Sequence, residues 1–267
     1  MKYKILCSDL DGTLLSSKND VSDSTISEIS RIKRKLKVVL VSARMPKAMT
    51  YLQERLGIVN EPIVCYNGAL VLEGKNKIFS TTIDLCLIEE IYLMTKELGI
   101  NIGFYHGDDW YASENTNFIQ KEIQYTKTSP ILMPTSDTLK DWKERKLGAH
   151  KLMLMGKKKA LDLIIGQIKK ELGSKLILYR SNDILIEVAP QHTSKLLGIQ
   201  NLLKNDETLD DIIAFGDNFN DIEMLQGVGY GVAIGNARDE VKAISDYITL
   251  NNTEDGVAHF IRKYLSI

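Results

Sequence analysis

The chain has 267 residues, 44% of them hydrophobic and 26% charged, with a formal net charge of −1. This composition is ordinary for a globular protein and excludes a disordered or collagen-like chain; the length suits one large domain or two unequal ones. No apolar run approaches the ~20 residues a bilayer span needs, and the basic stretch from Arg31 to Lys37 reads as a solvated helix end rather than a nucleic-acid patch.

The run from Tyr3 to Ser8 is short and apolar, which predicts a buried strand. After a polar loop, Ile26, Ile29 and Ile32 recur at helical spacing, with Ser22 or Asp23 as cap. Lys37 to Val41 predicts a second strand. Pro46 suits the first turn of a helix carrying Met49, Leu52 and Leu56 and ending at Gly57. Pro62 to Tyr66 predicts a third strand, and Leu70–Leu72 and Ile78–Ser80 flank a hairpin turn at 73–76. The same alternation returns after residue 194: a helix to Leu203, a strand at Asp211–Phe215, a helix near 221–225, a strand at Tyr230–Ile234, a helix near 239–244, a short strand at Tyr247–Thr249 and a last helix to Tyr264. Alternating strands and helices imply a doubly wound, Rossmann-like parallel sheet, so the fold class is α/β.

The middle of the chain reads differently. A helix at Leu85–Leu98 precedes strand candidates at 100–105, 110–112, 151–155, 175–179 and 184–188, with a helix at Ala160–Leu172. The pair joined by Arg180-Ser181-Asn182-Asp183 reads as a hairpin, hence an antiparallel sheet. The expectation is an inserted α+β cap over 83–189 and a core of 1–82 with 190–267. Cys7, Cys65 and Cys86 are odd in number and lack metal spacing. With no leader ahead of the first strand, they suggest reduced thiols and a cytoplasmic location.

The chemistry concentrates in four segments. Asp9-Leu10-Asp11-Gly12-Thr13-Leu14 follows the first strand, so Asp9 and Asp11, two apart, project to one side of a parallel sheet's carboxyl edge. Gly216-Asp217-Asn218-Phe219-Asn220-Asp221 follows a later strand and adds Asp217 and Asp221 to what reads as the same edge. Four converging acids need a cation, and hard oxygen donors with a phosphate partner point to Mg²⁺ rather than zinc. Ser42-Ala43-Arg44 at a strand-to-helix turn can offer a hydroxyl and N–H groups to phosphate oxygens, or Ser42 can simply cap a helix. Lys195, near a helix start, supplies the positive charge that the acids and a phosphate require.

These four segments, in this order, resemble the haloacid dehalogenase-like phosphatases, in particular the Cof-type branch with a large C2B-like inserted cap. Tyr66-Asn67-Gly68-Ala69, Glu187-Val188-Ala189-Pro190, the Gly231–Ala237 segment and Asp255-Gly256-Val257-Ala258 resemble further segments of that branch. Ser42-Ala43-Arg44 departs from its more usual Thr/Ser-Gly-Arg. The resemblance implies a Mg²⁺-dependent phosphatase acting on a small phosphate ester, a sugar phosphate or similar polyol. Asp9 would be the nucleophile and Asp11 the general acid and base. Asp9, the Asp11 carbonyl and Asp217 would hold the metal, with Asp221 behind them. Ser42, Lys195 and Asn220 would hold the phosphoryl group, and Gly12, Thr13, Ala43, Arg44 and Asn67 would shape the site or meet substrate. His106, Asp108, Trp110 and Arg180 are cap residues that could meet the leaving group. No nucleic-acid or membrane partner is implied, and the chain would act as a monomer or small homo-oligomer. The rival readings are a phosphosugar mutase on the same core and a non-catalytic phospho-ligand binder.

Overall fold

The computed structural model describes residues 2–16 and 20–265. The chain divides into two compact units, Met1–Phe79 with Ser194–Ile267, and Ser80–Thr193. In chain order the first unit opens with β1 (Ile5–Ser8), α1 (Asp23–Ile32), β2 (Lys37–Val41), α2 (Lys47–Leu56), β3 (Pro62–Cys65), β4 (Leu70–Glu73) and β5 (Asn76–Ser80). Ser22 is the cap of α1: its hydroxyl accepts from the Thr25 N–H at 3.0 Å, satisfying a donor that a helix start leaves open.

The inserted unit contains α3 (Leu85–Thr95), β6 (Asn101–His106), β7 (Asp109–Ala112), α4 (Asn117–Thr126), β8 (Ile131–Leu132), α5 (Thr135–Arg145), β9 (Lys151–Met155), α6 (Lys158–Leu172), β10 (Leu176–Asn182) and β11 (Leu185–Pro190). Its six strands run in the order β10-β11-β9-β6-β7-β8, antiparallel except for β7 with β8. Its core gathers Phe104, Trp142, Leu152, Leu154, Ile164 and Ile186, all fully buried. The hairpin turn is tighter than the sequence suggests. β10 continues through Asn182, and an irregularity between Arg180 and Asn182 absorbs the extra residue. The expected insertion end at 189 falls one residue short of the end of β11, and the Thr193 hydroxyl donates to the Pro190 carbonyl at 2.7 Å. The residues after 189 therefore pack with the inserted unit.

The chain returns to the first unit through α7 (Lys195–Leu202), β12 (Ile212–Gly216), α8 (Ile222–Gly227), β13 (Tyr230–Ala233), α9 (Asp239–Ala243), β14 (Tyr247–Ile248) and α10 (Gly256–Tyr264). The first unit's sheet has the order β14-β13-β12-β1-β2-β3-β4-β5. It is parallel from β14 to β3, and β4 pairs antiparallel with β3. From β1 the chain winds outward through β2 and β3 on one side; on the other side it winds outward from β12 through β13 to β14. The boundary between β1 and β12 is thus a topological switch point, where an open parallel sheet leaves a crevice at its carboxyl edge. Buried Ile5, Cys7, Val39, Val41, Ile212 and Ala214 fill the core beneath it.

Candidate active site

Ser8 is in register with Phe215, and the Asp9 N–H donates to the Phe215 carbonyl at 3.0 Å. The segments 9–14 and 216–221 therefore leave adjacent strands side by side. After Asp9 the chain makes a wide turn, closed by a Leu15 N–H to Leu10 carbonyl bond of 2.9 Å. Gly12 is required in that turn on two counts. Its φ is +83°, and a Cβ there would lie 2.5 Å from the Asp217 Oδ2. The Thr13 hydroxyl donates to Asp217 Oδ1 at 2.8 Å, which ties the two segments together.

Lys195 is the electrostatic centre. Only 1% exposed, it donates from Nζ to Asp9 Oδ1 and to Asp221 Oδ1, each at 2.6 Å. Burial works to lower its pKa, but the carboxylates of Asp221 and Asp9 outweigh burial and hold it above the ordinary lysine range. Asp221 has both oxygens committed, because Oδ2 accepts from the Asp217 and Asn218 N–H groups at 3.0 Å each. It fixes the 217–218 loop and the lysine together. Burial and the neighbouring carboxylates of Asp221 and Asp217 push Asp9 well upward, against the pull of Lys195. Burial, with Asp221, pushes Asp217 up to about 6, against the Thr13 hydrogen bond.

Carboxylate oxygens of Asp9, Asp217 and Asp221 all lie within 4.8 Å of one another. Two of these acids, Asp9 and Asp221, share Lys195, while Asp217 accepts from the Thr13 hydroxyl, so the three together form a group of carboxylates that could hold a divalent cation. An all-oxygen donor set of this kind suits a hard ion.

The phosphate-binding candidates sit beside this cluster. Ser42 follows β2, and its hydroxyl accepts from the Arg44 N–H at 3.2 Å. The Ser42 and Arg44 carbonyls accept from the Asn67 and Tyr66 N–H groups at 2.9 and 3.1 Å, so the 42–44 turn, Ala43 included, is clamped by the loop after β3. That loop is strained. Tyr66 and Asn67 have φ of 53° and 54°, and Gly68 follows at 97°. Gly68 packs so closely on the start of α7 that a Cβ would fall 2.0 Å from the Ser194 carbonyl oxygen. The Asn67 side-chain oxygen accepts from Asn220 Nδ2 at 3.0 Å. Arg44 is buried and turned onto Asp11 rather than outward, and Asn67 is engaged with Asn220.

Two residues without an individual place in the sequence reading also hold the turn. Asn236 donates from Nδ2 to the Gly12 carbonyl at 2.8 Å, and the Arg238 N–H donates to the Asp217 carbonyl at 3.0 Å. Asn236 lies in one of the segments that carried the resemblance, which was its only signal. In the inserted unit Trp110 is buried and stacked on Tyr105 at 5.2 Å, and Arg180 is tied to Asp162 on the surface.

The profile of the haloacid dehalogenase-like hydrolases matches residues 6–261, nearly the whole chain. The chain belongs to that family. A Haemophilus influenzae relative is 32% identical over 265 residues, covering 97% of each chain. The 5-amino-6-(5-phospho-D-ribitylamino)uracil phosphatase of Bacillus subtilis is 29% identical over 278 residues, covering 100% of this chain and 99% of its own. Among solved structures, a haloacid dehalogenase-like hydrolase from Bacteroides thetaiotaomicron superposes with a TM-score of 0.90 at 30% identity, covering 98% of this chain and 99% of that one. This haloacid dehalogenase-like hydrolase is an enzyme of the phosphatase class, a phosphoric monoester hydrolase. Among the described residues no helix is long and apolar enough to cross a membrane.

Proposed function

We propose that the chain is a Mg²⁺-dependent phosphatase that hydrolyses a small phosphorylated metabolite, a sugar phosphate or similar polyol, through an aspartyl phosphate on Asp9. The observation that carries this reading is the buried lysine bridge: Lys195 orients the Asp9 carboxylate at the switch point, with Asp217 beside it. A carboxylate held by a cation at a crevice is a fixed nucleophile, and splitting one displacement into two lowers each barrier.

In the first step an Asp9 oxygen bonds to phosphorus as the bond to the leaving oxygen breaks. Asp11 gives that oxygen a proton. In the second step Asp11 takes a proton from water, and the water oxygen attacks phosphorus. The Asp9–phosphorus bond breaks, inorganic phosphate leaves and the Asp9 carboxylate is restored. Ser42, Lys195 and Asn220 hold the phosphoryl oxygens, while Gly12, Thr13, Ala43 and Asn67 shape the loops around them. Mg²⁺, held by Asp9, the Asp11 carbonyl and Asp217, would offset the charge on the transferring group, the main demand of phosphoryl transfer. Asp221 supports this set from behind. The protein works in the cytoplasm as a monomer or small homo-oligomer without nucleic-acid or membrane partners.

The test is incubation with a panel of sugar phosphates, with and without Mg²⁺. Release of inorganic phosphate only with the metal supports the reading. A rearranged sugar phosphate without release would make the chain a mutase. Tight binding of the esters without turnover would make it a binding protein.

A further inference from the structure

Asp11 is held by a residue that the proposed chemistry does not otherwise use. The Arg44 guanidinium forms a fork on it, Nε to Oδ2 at 2.8 Å and Nη2 to Oδ1 at 2.5 Å. The two partners differ in freedom. The Arg44 side chain is 5% exposed, and the Asp11 side chain is 43% exposed. Arg44 is also fixed through its main chain, since its N–H donates to the Ser42 hydroxyl and its carbonyl accepts from Tyr66. It is thus a buried anchor, and Asp11 is the member able to move. A fork of this kind dictates the plane of the carboxylate as well as its distance.

We propose that Arg44 is a positioning residue for Asp11 and not a ligand of the substrate phosphate. The inference rests on the acid–base role given to Asp11 above. Two of the guanidinium nitrogens, Nε and Nη2, already face Asp11, and the third, Nη1, is buried on a side chain only 5% exposed, so the group is committed to Asp11 rather than presented to solvent. Both Asp11 oxygens rest on the fork, so one must leave it to reach the leaving oxygen while the other stays anchored. The side chain then pivots about one retained contact, and a single oxygen serves both proton transfers. Arg44 thereby raises the fraction of time Asp11 points at the reacting oxygen and adds nothing to the grip on phosphate.

The experiment compares Arg44→Ala, Arg44→Lys, Asp11→Asn and the Arg44→Ala/Asp11→Asn pair on a sugar phosphate and on nitrophenyl phosphate, with inorganic phosphate as inhibitor. Arg44→Ala should lower kcat on the sugar phosphate by about 10²-fold, and by less on nitrophenyl phosphate, whose leaving group needs little protonation. The inhibition constant for phosphate should stay within about threefold. Added to Asp11→Asn, the same change should cost little more, because the two residues act as one unit. Arg44→Lys, which keeps the charge but not the fork, should fall between the wild type and Arg44→Ala with the same leaving-group pattern, and it answers the question if Arg44→Ala does not fold. A large rise in the phosphate inhibition constant with kcat unchanged, or losses that multiply fully in the double variant, would overturn the inference and leave the acid–base reading standing. An Asp11→Asn enzyme as active as the wild type would remove the acid–base reading itself, and this inference with it.

Discussion

Buried polar groups are used differently in the two units. In the inserted unit they are settled in small, separate pairs. The hydroxyls of Thr95 and Thr126 donate to carbonyls one helical turn back, at 2.9 and 2.8 Å. His150 accepts from the Gly107 N–H through Nδ1, which leaves Nε2 to meet the Ser80 hydroxyl at 3.0 Å. The Lys151–Glu187 ion pair stands 3.8 Å apart across neighbouring strands. In the first unit the buried charges come from three distant segments and crowd together: Asp9, Lys195 and Asp221, with Asp217 beside them. Hydrophobic replacement of such a cluster would often be stabilising. Apolar packing thus dominates the inserted unit, whereas the switch point of the first unit carries a buried charge cluster beside a strained loop and close glycine contacts.

That contrast can be broken or sharpened by substitution. The largest effect belongs to Lys195→Met, which leaves Asp9 and Asp221 buried without their cation. Turnover should fall by at least about 10³-fold, and denaturant unfolding should show a loss of about 3–5 kcal/mol near neutral pH. If Lys195→Met unfolds like the wild type, the charge cluster is not the buried network described here. Ile164→Ala in the inserted unit is the opposite case. Ile164 is fully buried in an apolar cluster, and its truncation should cost about 2–5 kcal/mol while kcat per folded molecule changes by less than about threefold. A Ile164→Ala enzyme that keeps its stability but loses turnover would erase the distinction between the units.

A smaller effect follows from Asp217. Its pKa is pushed up to about 6, with burial the first cause. An acid with a raised pKa holds its proton below that value, and a carboxylate must lose its proton to ligate a metal. The affinity for Mg²⁺, read by calorimetry, should therefore be lowest in acid and rise with pH, by up to about tenfold per unit for each proton displaced, with Asp217 contributing to the rise until it is ionised. Asp217→Asn should flatten that rise. An affinity independent of pH between 5 and 7 would contradict Asp217 as a ligand.

Much of the first unit was legible because its signals are short and contiguous: apolar runs for β1 and β12, and acidic turns directly after them. The parallel character of the sheet followed from alternation, while its strand order did not. The two helices Asn117–Thr126 and Thr135–Arg145 were not legible, and their burial explains why. The first buries only Ile119 and Thr126, and the second only Thr138, Leu139 and Trp142, too thin an apolar stripe for periodicity to reveal. At the site, the acidic segments and the lysine could be named from sequence, but not what each touches. The Arg44–Asp11 fork joins residues 33 apart in the turns after β1 and β2, and the lysine bridge to Asp9 spans 186. No local pattern encodes either. The left-handed pair at Tyr66 and Asn67, followed by the close approach of Gly68 to Ser194, is likewise not announced by residue identity.

On the proposed mechanism Asp9, oriented by Lys195 with Asp217 alongside, should become covalently phosphorylated during turnover. Rapid acid quenching of the Mg²⁺-loaded enzyme with a phosphate ester, followed by borohydride reduction and peptide mass spectrometry, tests it directly. Reductive labelling at Asp9, lost in Asp9→Asn together with phosphate release, is the predicted result. Undiminished phosphate release by Asp9→Asn, or labelling at another carboxylate, would contradict it.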